Sequence, residues 1–98
     1  MKTAQATSTT GTLSISKVYK QGSVVIANLV YKHTSGSSVN IVLPYTSLET
    51  VYSICSDAIR STSMTLTVDH NTKTISLVSG SPASGTAYIV NFIYATPD

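Results

Sequence analysis

Apolar side chains recur at every second position along most of this chain, and that spacing places them on one face of an extended strand. The alternation starts at Thr12 and runs to Tyr94, interrupted by short polar segments typical of turns. Ten Val, eight Ile and fifteen Thr supply β-branched side chains, which favour strands, whereas strong helix formers are scarce. The sequence therefore predicts an all-β domain.

Residues 12–98 are predicted to form one small antiparallel β-sandwich of about seven strands. Gly22 is expected to supply a positive φ in the first hairpin turn, and 69–72 is expected to form a second turn. Residues 1–11 are polar and aperiodic, so we expect an N-terminal arm that is flexible or docks on something. Six of the strands are predicted at 12–19, 24–32, 39–43, 64–68, 73–78 and 87–94.

The segment 46–60 fits two structures. The order Thr46, Ser47, Leu48 and Glu49 matches a helix capping box, and apolar residues follow at helical spacing. Residues 50–54, by contrast, are poor helix formers and good strand formers. Both a seventh strand and a short helix remain open from the sequence.

Composition argues against several classes of function. The net charge of +2 is too small for a phosphate-binding surface, so no specific nucleic-acid partner is expected. No apolar run is long enough for a secretion signal or a membrane span, which predicts that the chain is made inside the cell and has no membrane partner.

The reactive side chains are few and widely spaced. Cys55, His33, His70 and Asp69 could be assembled into a nucleophilic set, but Cys55 lies in an apolar run and His70 in a turn. The spacing of the two His and the single Cys does not match a structural zinc site, and no phosphate-binding glycine loop occurs. We therefore expect no enzymatic activity, no catalytic residues, no metal site and no cofactor.

Two strands, 24–32 and 87–94, are apolar on both faces, which a half-solvated strand in a sandwich should not be. Something is expected to cover their outer faces: the 46–60 segment, the N-terminal arm or, the alternative we favour, another copy of the chain. A monomer that exposes scattered Val and Tyr is the other interpretation. The residues assigned to this assembly surface are Val25, Leu29, Tyr31, Tyr88, Val90, Phe92 and Tyr94.

Residues 66–77, with an Asn-Thr-Lys-Thr-Ile-Ser-Leu hairpin, and 83–94, with Ser-Gly-Thr before an apolar strand, resemble small virion β-domains of tailed bacteriophages. Capsid decoration proteins and tail-fibre tips are such domains. The resemblance implies a non-enzymatic β-sandwich, commonly trimeric, that is mounted on a virion beside other virion proteins. It transfers no named binding residue.

Two functions follow as expectations. The first is a self-associating structural protein that decorates or cements a phage capsid. The second is a receptor-binding or tail-fibre tip module that recognises a host glycan or protein through loops 34–38, 57–63 and 79–85. The candidate binding residues in those loops are Ser35, Ser37, Asp57, Arg60, Ser81 and Ser84.

Overall fold

The computed structural model describes residues 2–34, 36–57 and 63–98, and every regular element in them is a β-strand. Two antiparallel sheets form a small β-sandwich, which confirms the predicted fold class. The nine strands are β1 (Lys2–Ala4), β2 (Thr7–Ser8), β3 (Gly11–Gln21), β4 (Val24–His33), β5 (Asn40–Val42), β6 (Val51–Ser56), β7 (Ser63–Val68), β8 (Thr74–Gly80) and β9 (Ala87–Ala95).

Sheet A has the strand order β1-β3-β4-β9, and sheet B has the order β2-β5-β8-β7-β6. The N-terminal segment, expected to be an arm, docks on the chain itself. Its strand β1 pairs with β3 in sheet A, and β2 pairs with β5 in sheet B. Because β3 already begins at Gly11, the first ten residues contribute one edge strand to each sheet.

Turn chemistry fixes the hairpins where the sequence predicts them. Gly22 has a φ of 61°, and the turn lets β3 and β4 pair from Gln21 and Val24 onward. Asn71, in the turn between β7 and β8, has a φ of 63°, a conformation that Asn tolerates better than most residues.

The segment after Pro44 forms a turn and then a strand, so the short-helix prediction is wrong for its described residues. The Ser47 Oγ accepts a hydrogen bond from the Glu49 N–H (3.3 Å) and donates one to the Glu49 carbonyl, which is the short-range bonding that a capping box also offers. The Ser47 N–H instead donates to the carbonyl of Thr72 (2.8 Å), which ties this turn to the β7–β8 hairpin. The strand β6 follows, where Val51, Tyr52 and Ile54 favour the extended conformation.

A β-bulge between Leu13 and Ile15 changes which side of β3 faces the core. Leu13 packs against the buried cluster, whereas Ile15 is exposed on the opposite face. Strict alternation would place Leu13 on the same face as Ile15, Lys17 and Tyr19, and the bulge removes it from that face. The extra residue in β3 turns Ile15 towards solvent.

The two sheets approach each other along β6 and β9. The backbone of Asp57, just after β6, pairs with that of Tyr88 in an antiparallel bridge. At the other end of β9, the Leu48 N–H donates to the carbonyl of Ala95 (2.8 Å). The interior between the sheets is filled by inward-facing residues of both, including Leu29, Ile41, Leu66, Ile75 and Val90.

Candidate assembly surface

The residues predicted to form the assembly surface lie in the core, so that assignment is wrong. Each of the seven is at most 4% exposed and belongs to the buried cluster between the sheets. The other face of the same two strands points to solvent. The seven buried residues are Val25, Leu29, Tyr31, Tyr88, Val90, Phe92 and Tyr94.

The error has a physical reason: both faces of β4 and β9 are apolar, so alternation alone does not say which face is inside. Two signals in the sequence distinguish them. Within each strand all the ring-bearing side chains lie on one face, which suits a close-packed interior: Tyr31 and His33 on β4, and Tyr88, Phe92 and Tyr94 on β9. The opposite faces of these strands carry Asn28, Lys32 and Asn91, polar side chains that favour solvent exposure.

Strand register arranges the solvent-facing side of sheet A, which we call the outer face, in rows across β3, β4 and β9. An apolar row of Ile15, Val30 and Ile89 is separated from a second row by a polar one. The polar row is Lys17, Asn28 and Asn91; the second apolar row is Tyr19, Ile26 and Ile93, followed by Gln21, Val24 and Ala95.

The outer face leaves large aliphatic side chains in water. The exposed fractions are 45% for Ile15, 45% for Val24, 40% for Ile26, 53% for Ile89 and 69% for Ile93. Strand register places them in two apolar groups on either side of the polar row: Ile15 and Ile89 in one, and Val24, Ile26 and Ile93 in the other. The outer face is therefore an apolar surface that is uncovered in the single chain.

The solvent-facing side of sheet B has a different composition. Its central strands carry Asn40, Ser76 and Thr65, which are half-buried, and Thr67, which is only 6% exposed. Large exposed apolar residues of this sheet are confined to the edge strand β6, at Tyr52 and Ile54, and to Val78 at a bulge in β8. The two apolar groups are thus a property of sheet A.

The electrostatics of the outer face are weakly cationic. Neither Asp nor Glu occurs in β1, β3, β4 or β9, whereas Lys17 and Lys32 are exposed on the outer face. Lys17 lies in the polar row, next to Asn28 on β4.

A depression of about 370 Å³ opens at the hairpin end of the outer face. It is lined by Tyr19, Gln21, Val24 and Ile26, whose side chains lie on the same side of two paired strands. Ile93, the most exposed aliphatic residue of the face, is the cross-strand neighbour of Ile26. A protruding side chain and a depression therefore lie side by side on one surface.

The predicted binding loops meet at one end of the sandwich. The Gly85 N–H donates to the carbonyl of His33 (2.7 Å), which joins loop 79–85 to loop 34–38. Asp57, at the start of loop 57–63, pairs with Tyr88 nearby but is only 6% exposed, so it does not line an open surface. Ser37, Ser81 and Ser84 are exposed; Ser35, Arg60 and most of loop 57–63 lie outside the described residues.

A buried hydrogen-bond chain, which the sequence did not predict, underlies that end. The Nε2–H of His33 donates to the Gly36 carbonyl (2.8 Å), and its Nδ1 lies 2.8 Å from the Tyr31 hydroxyl. Because the carbonyl can only accept, Nδ1 accepts from Tyr31. The Tyr31 hydroxyl is also 2.7 Å from Thr10 Oγ1, which in turn accepts from the Asn40 N–H (3.0 Å). The chain ties β4 to the N-terminal segment and to β5.

The reactive side chains considered from the sequence are not brought together in the described residues. Cys55 is buried beside Ser53, whose Oγ is 3.8 Å from the sulfur, and burial raises the pKa of its thiol. His33 is occupied in the buried chain, and His70 is exposed in a turn. Within 2–34, 36–57 and 63–98, no group of three His, Cys, Asp or Glu residues is arranged to hold a metal ion.

The part of the chain that the structure describes contains no helix long and apolar enough to cross a membrane. No known family model, curated protein or solved structure matches this chain.

Proposed function

We propose that this chain is a non-enzymatic structural subunit of a phage virion, which associates with copies of itself and decorates or cements the capsid. The observation that carries the proposal is the uncovered apolar outer face of sheet A. The resemblance of residues 66–77 and 83–94 to small virion β-domains is the reason for proposing a phage virion as the particle. The face supplies the surface for self-association, on which stable binding to the capsid depends.

The exposure of five large aliphatic side chains on one sheet face favours assembly over a free monomer. Complete burial of an aliphatic side chain stabilises by roughly 1.5–3 kcal/mol, so five half-exposed residues retain several kcal/mol that a contact could gain. Clusters of exposed apolar side chains on a small protein mark sites of interaction. Ile15 and Ile89 form one such cluster, and Val24, Ile26 and Ile93 form the other.

Attachment through a free N-terminal arm does not fit the fold. The segment 1–11 contributes β1 to one sheet and β2 to the other, so its removal would take one edge strand from each sheet and expose β3 and β5 as new edges. Single substitutions on the outer face are therefore the sharper test of how the subunit attaches.

Receptor binding at a tail-fibre tip remains the second candidate. It is favoured by the meeting of loops 34–38 and 79–85 at one end of the sandwich, where Ser37, Ser81 and Ser84 are exposed. Loops held by a rigid scaffold are common sites of recognition. A tip module would use this end and leave the outer face for packing inside the fibre.

Co-sedimentation with capsids purified without this chain separates the two functions. We expect the wild-type protein to sediment with the capsids, Ile89→Lys to lose binding, and the matched control Val78→Lys on sheet B to retain it. A loop variant, Ser81→Lys, should also retain capsid binding. If Ile89→Lys binds capsids like the wild type while Ser81→Lys abolishes adsorption to host cells, the capsid function is wrong and the tip function is supported.

A further inference from the structure

We infer that a second copy of this chain covers the outer face of sheet A, in a two-fold pair in which Ile93 of each copy seats in the depression beside Tyr19 of the other. This inference rests on the proposed function and names the partner at its assembly surface. The face has the two complementary shapes that such a pair needs.

The first argument is shape. Ile93 protrudes with 69% of its surface exposed, and the depression lined by Tyr19, Gln21, Val24 and Ile26 is on the same face. A two-fold contact uses the same surface on both copies, so each must present both members of every complementary pair. A side chain of Ile size fits readily within about 370 Å³.

The polar row supplies the second argument. Lys17 carries only hydrogen-bond donors, while the carboxamides of Asn28 and Asn91 offer both donors and acceptors. Facing copies can therefore satisfy this row with their own side chains, although no acidic residue lies on the sheet. The short strand β1 pairs with β3 only at Val18–Lys20, so β3 is the edge of sheet A at Lys17. The ammonium group of Lys17 therefore lies near the edge of the contact, where it can reach water.

The third argument concerns symmetry. A ring such as a trimer needs head-to-tail contacts between two different surfaces, whereas a two-fold pair needs one self-complementary surface. The exposed apolar residues of sheet B, Tyr52, Ile54 and Val78, lie on the edge strand β6 and at a bulge in β8, whereas the outer face of sheet A presents a protruding side chain and a depression together. A single face with both shapes favours a pair over the trimer that the family resemblance implies.

The dimensions of the face set the expected strength. Three strands of about nine residues cover roughly 14 by 30 Å, or on the order of 400 Å² in projection per copy. Standard interfaces bury about 800 Å² per partner, so this contact belongs to the weak end of specific association. We expect dissociation in the micromolar range, where a repeating particle surface would add avidity.

The lysines give the pair a distinctive salt dependence. Lys17 and Lys32 occur on both copies without a compensating acid, so their repulsion opposes pairing and is screened by salt. The pair should tighten between about 0.1 M and about 1 M NaCl, as the Debye length falls from about 10 Å to about 3 Å. A partner of acidic chemistry would give the opposite trend.

Sedimentation equilibrium over a concentration series tests the inference. We expect a monomer–dimer equilibrium for the wild type, a dissociation constant raised about tenfold or more in Ile93→Lys, and no change in Val78→Lys. Circular dichroism should show the same fold in all three proteins. Tyr19→Ala, which removes one wall of the depression, should weaken the pair without placing a charge in it.

Other results would overturn the inference in distinguishable ways. A strict monomer that still binds capsids through Ile89 would exclude a second copy as the partner and refute the self-association in the proposed function, while its capsid-binding part would stand. A trimer, or a pair that weakens as salt rises, would refute the two-fold contact. A monomer that binds no capsids would refute both proposals.

Discussion

Phe92 and Ile93 are adjacent in β9 and lie on opposite faces of sheet A, the first 3% exposed and the second 69% exposed. Both are large and apolar, and the sequence around them does not separate the core from the solvent by hydrophobicity. The strand therefore contributes to two apolar surfaces: one fills the sandwich, and the other remains available to a partner.

Substitution of these neighbours should have unequal effects on stability. Phe92→Ala removes a buried ring and should lower the free energy of unfolding by about 3–5 kcal/mol. Ile93→Ala should cost less than about 1 kcal/mol, since it changes mainly strand propensity. Urea denaturation of dilute protein measures both, and similar losses for the two variants would contradict the assignment of faces.

The buried chain around His33 should contribute measurably to stability. Tyr31→Phe removes the hydroxyl between Thr10 Oγ1 and His33 Nδ1 and leaves both without that partner, which should cost about 1–3 kcal/mol. Tyr19→Phe, on the outer face, is the matched control and should be close to neutral. If both variants melt like the wild type, the chain is not a stabilising link between β4 and the N-terminal segment.

The Cys55 thiol should react slowly in the folded protein. It is buried, and burial raises the pKa of the thiol above its ordinary value of about 9, so both access and thiolate content are reduced. Labelling with a maleimide at neutral pH should accelerate strongly when urea unfolds the chain. Rapid labelling without denaturant would show that β6 does not bury this side chain.

Alkaline pH should destabilise the fold. Burial raises the pKa of Tyr31 and of Tyr94 above the ordinary value of 10, with Asp98 and Tyr45 adding to the effect at Tyr94. A group whose pKa is higher in the folded state stabilises below its unfolded pKa, and that stability is lost as the pH rises above it. The urea midpoint should therefore fall from about pH 9 upward, where the unfolded chain begins to lose these protons. Tyr94→Phe should reduce this slope, and an unchanged slope would contradict the role of Tyr94.

The sequence predicted six of the nine strands because β-branched and apolar residues run between turn residues, whereas β1 and β2 were expected to form an arm and β6 was left open between a strand and a helix. Gly22 and Asn71 have the conformations that their turns require, and the bounds of β4 and β9 differ from prediction by one residue. The solvent-facing side of β4 and β9 was predicted wrongly because both faces of these strands are apolar, so hydrophobicity does not show which face is buried. Asn28 and Asn91 carry the information that does.

Other features depend on contacts that no local pattern contains. The bulge that turns Ile15 outward depends on its pairing with Val30. The hydrogen bonds between Thr10, Tyr31 and Asn40 join residues far apart in sequence. The turn at Ser47 uses the same short-range bond as a helix cap, so the pattern at 46–49 fits two structures until the packing decides.

Protection of the outer face on association is the most direct test of the central claim. Ile93→Cys places a thiol on the outer face, Val78→Cys places one on sheet B, and the buried Cys55 contributes little background. As the protein concentration rises through the micromolar range, maleimide labelling should slow at position 93 and stay constant at position 78. Equal labelling of both positions at every concentration, with or without capsids, would contradict the account.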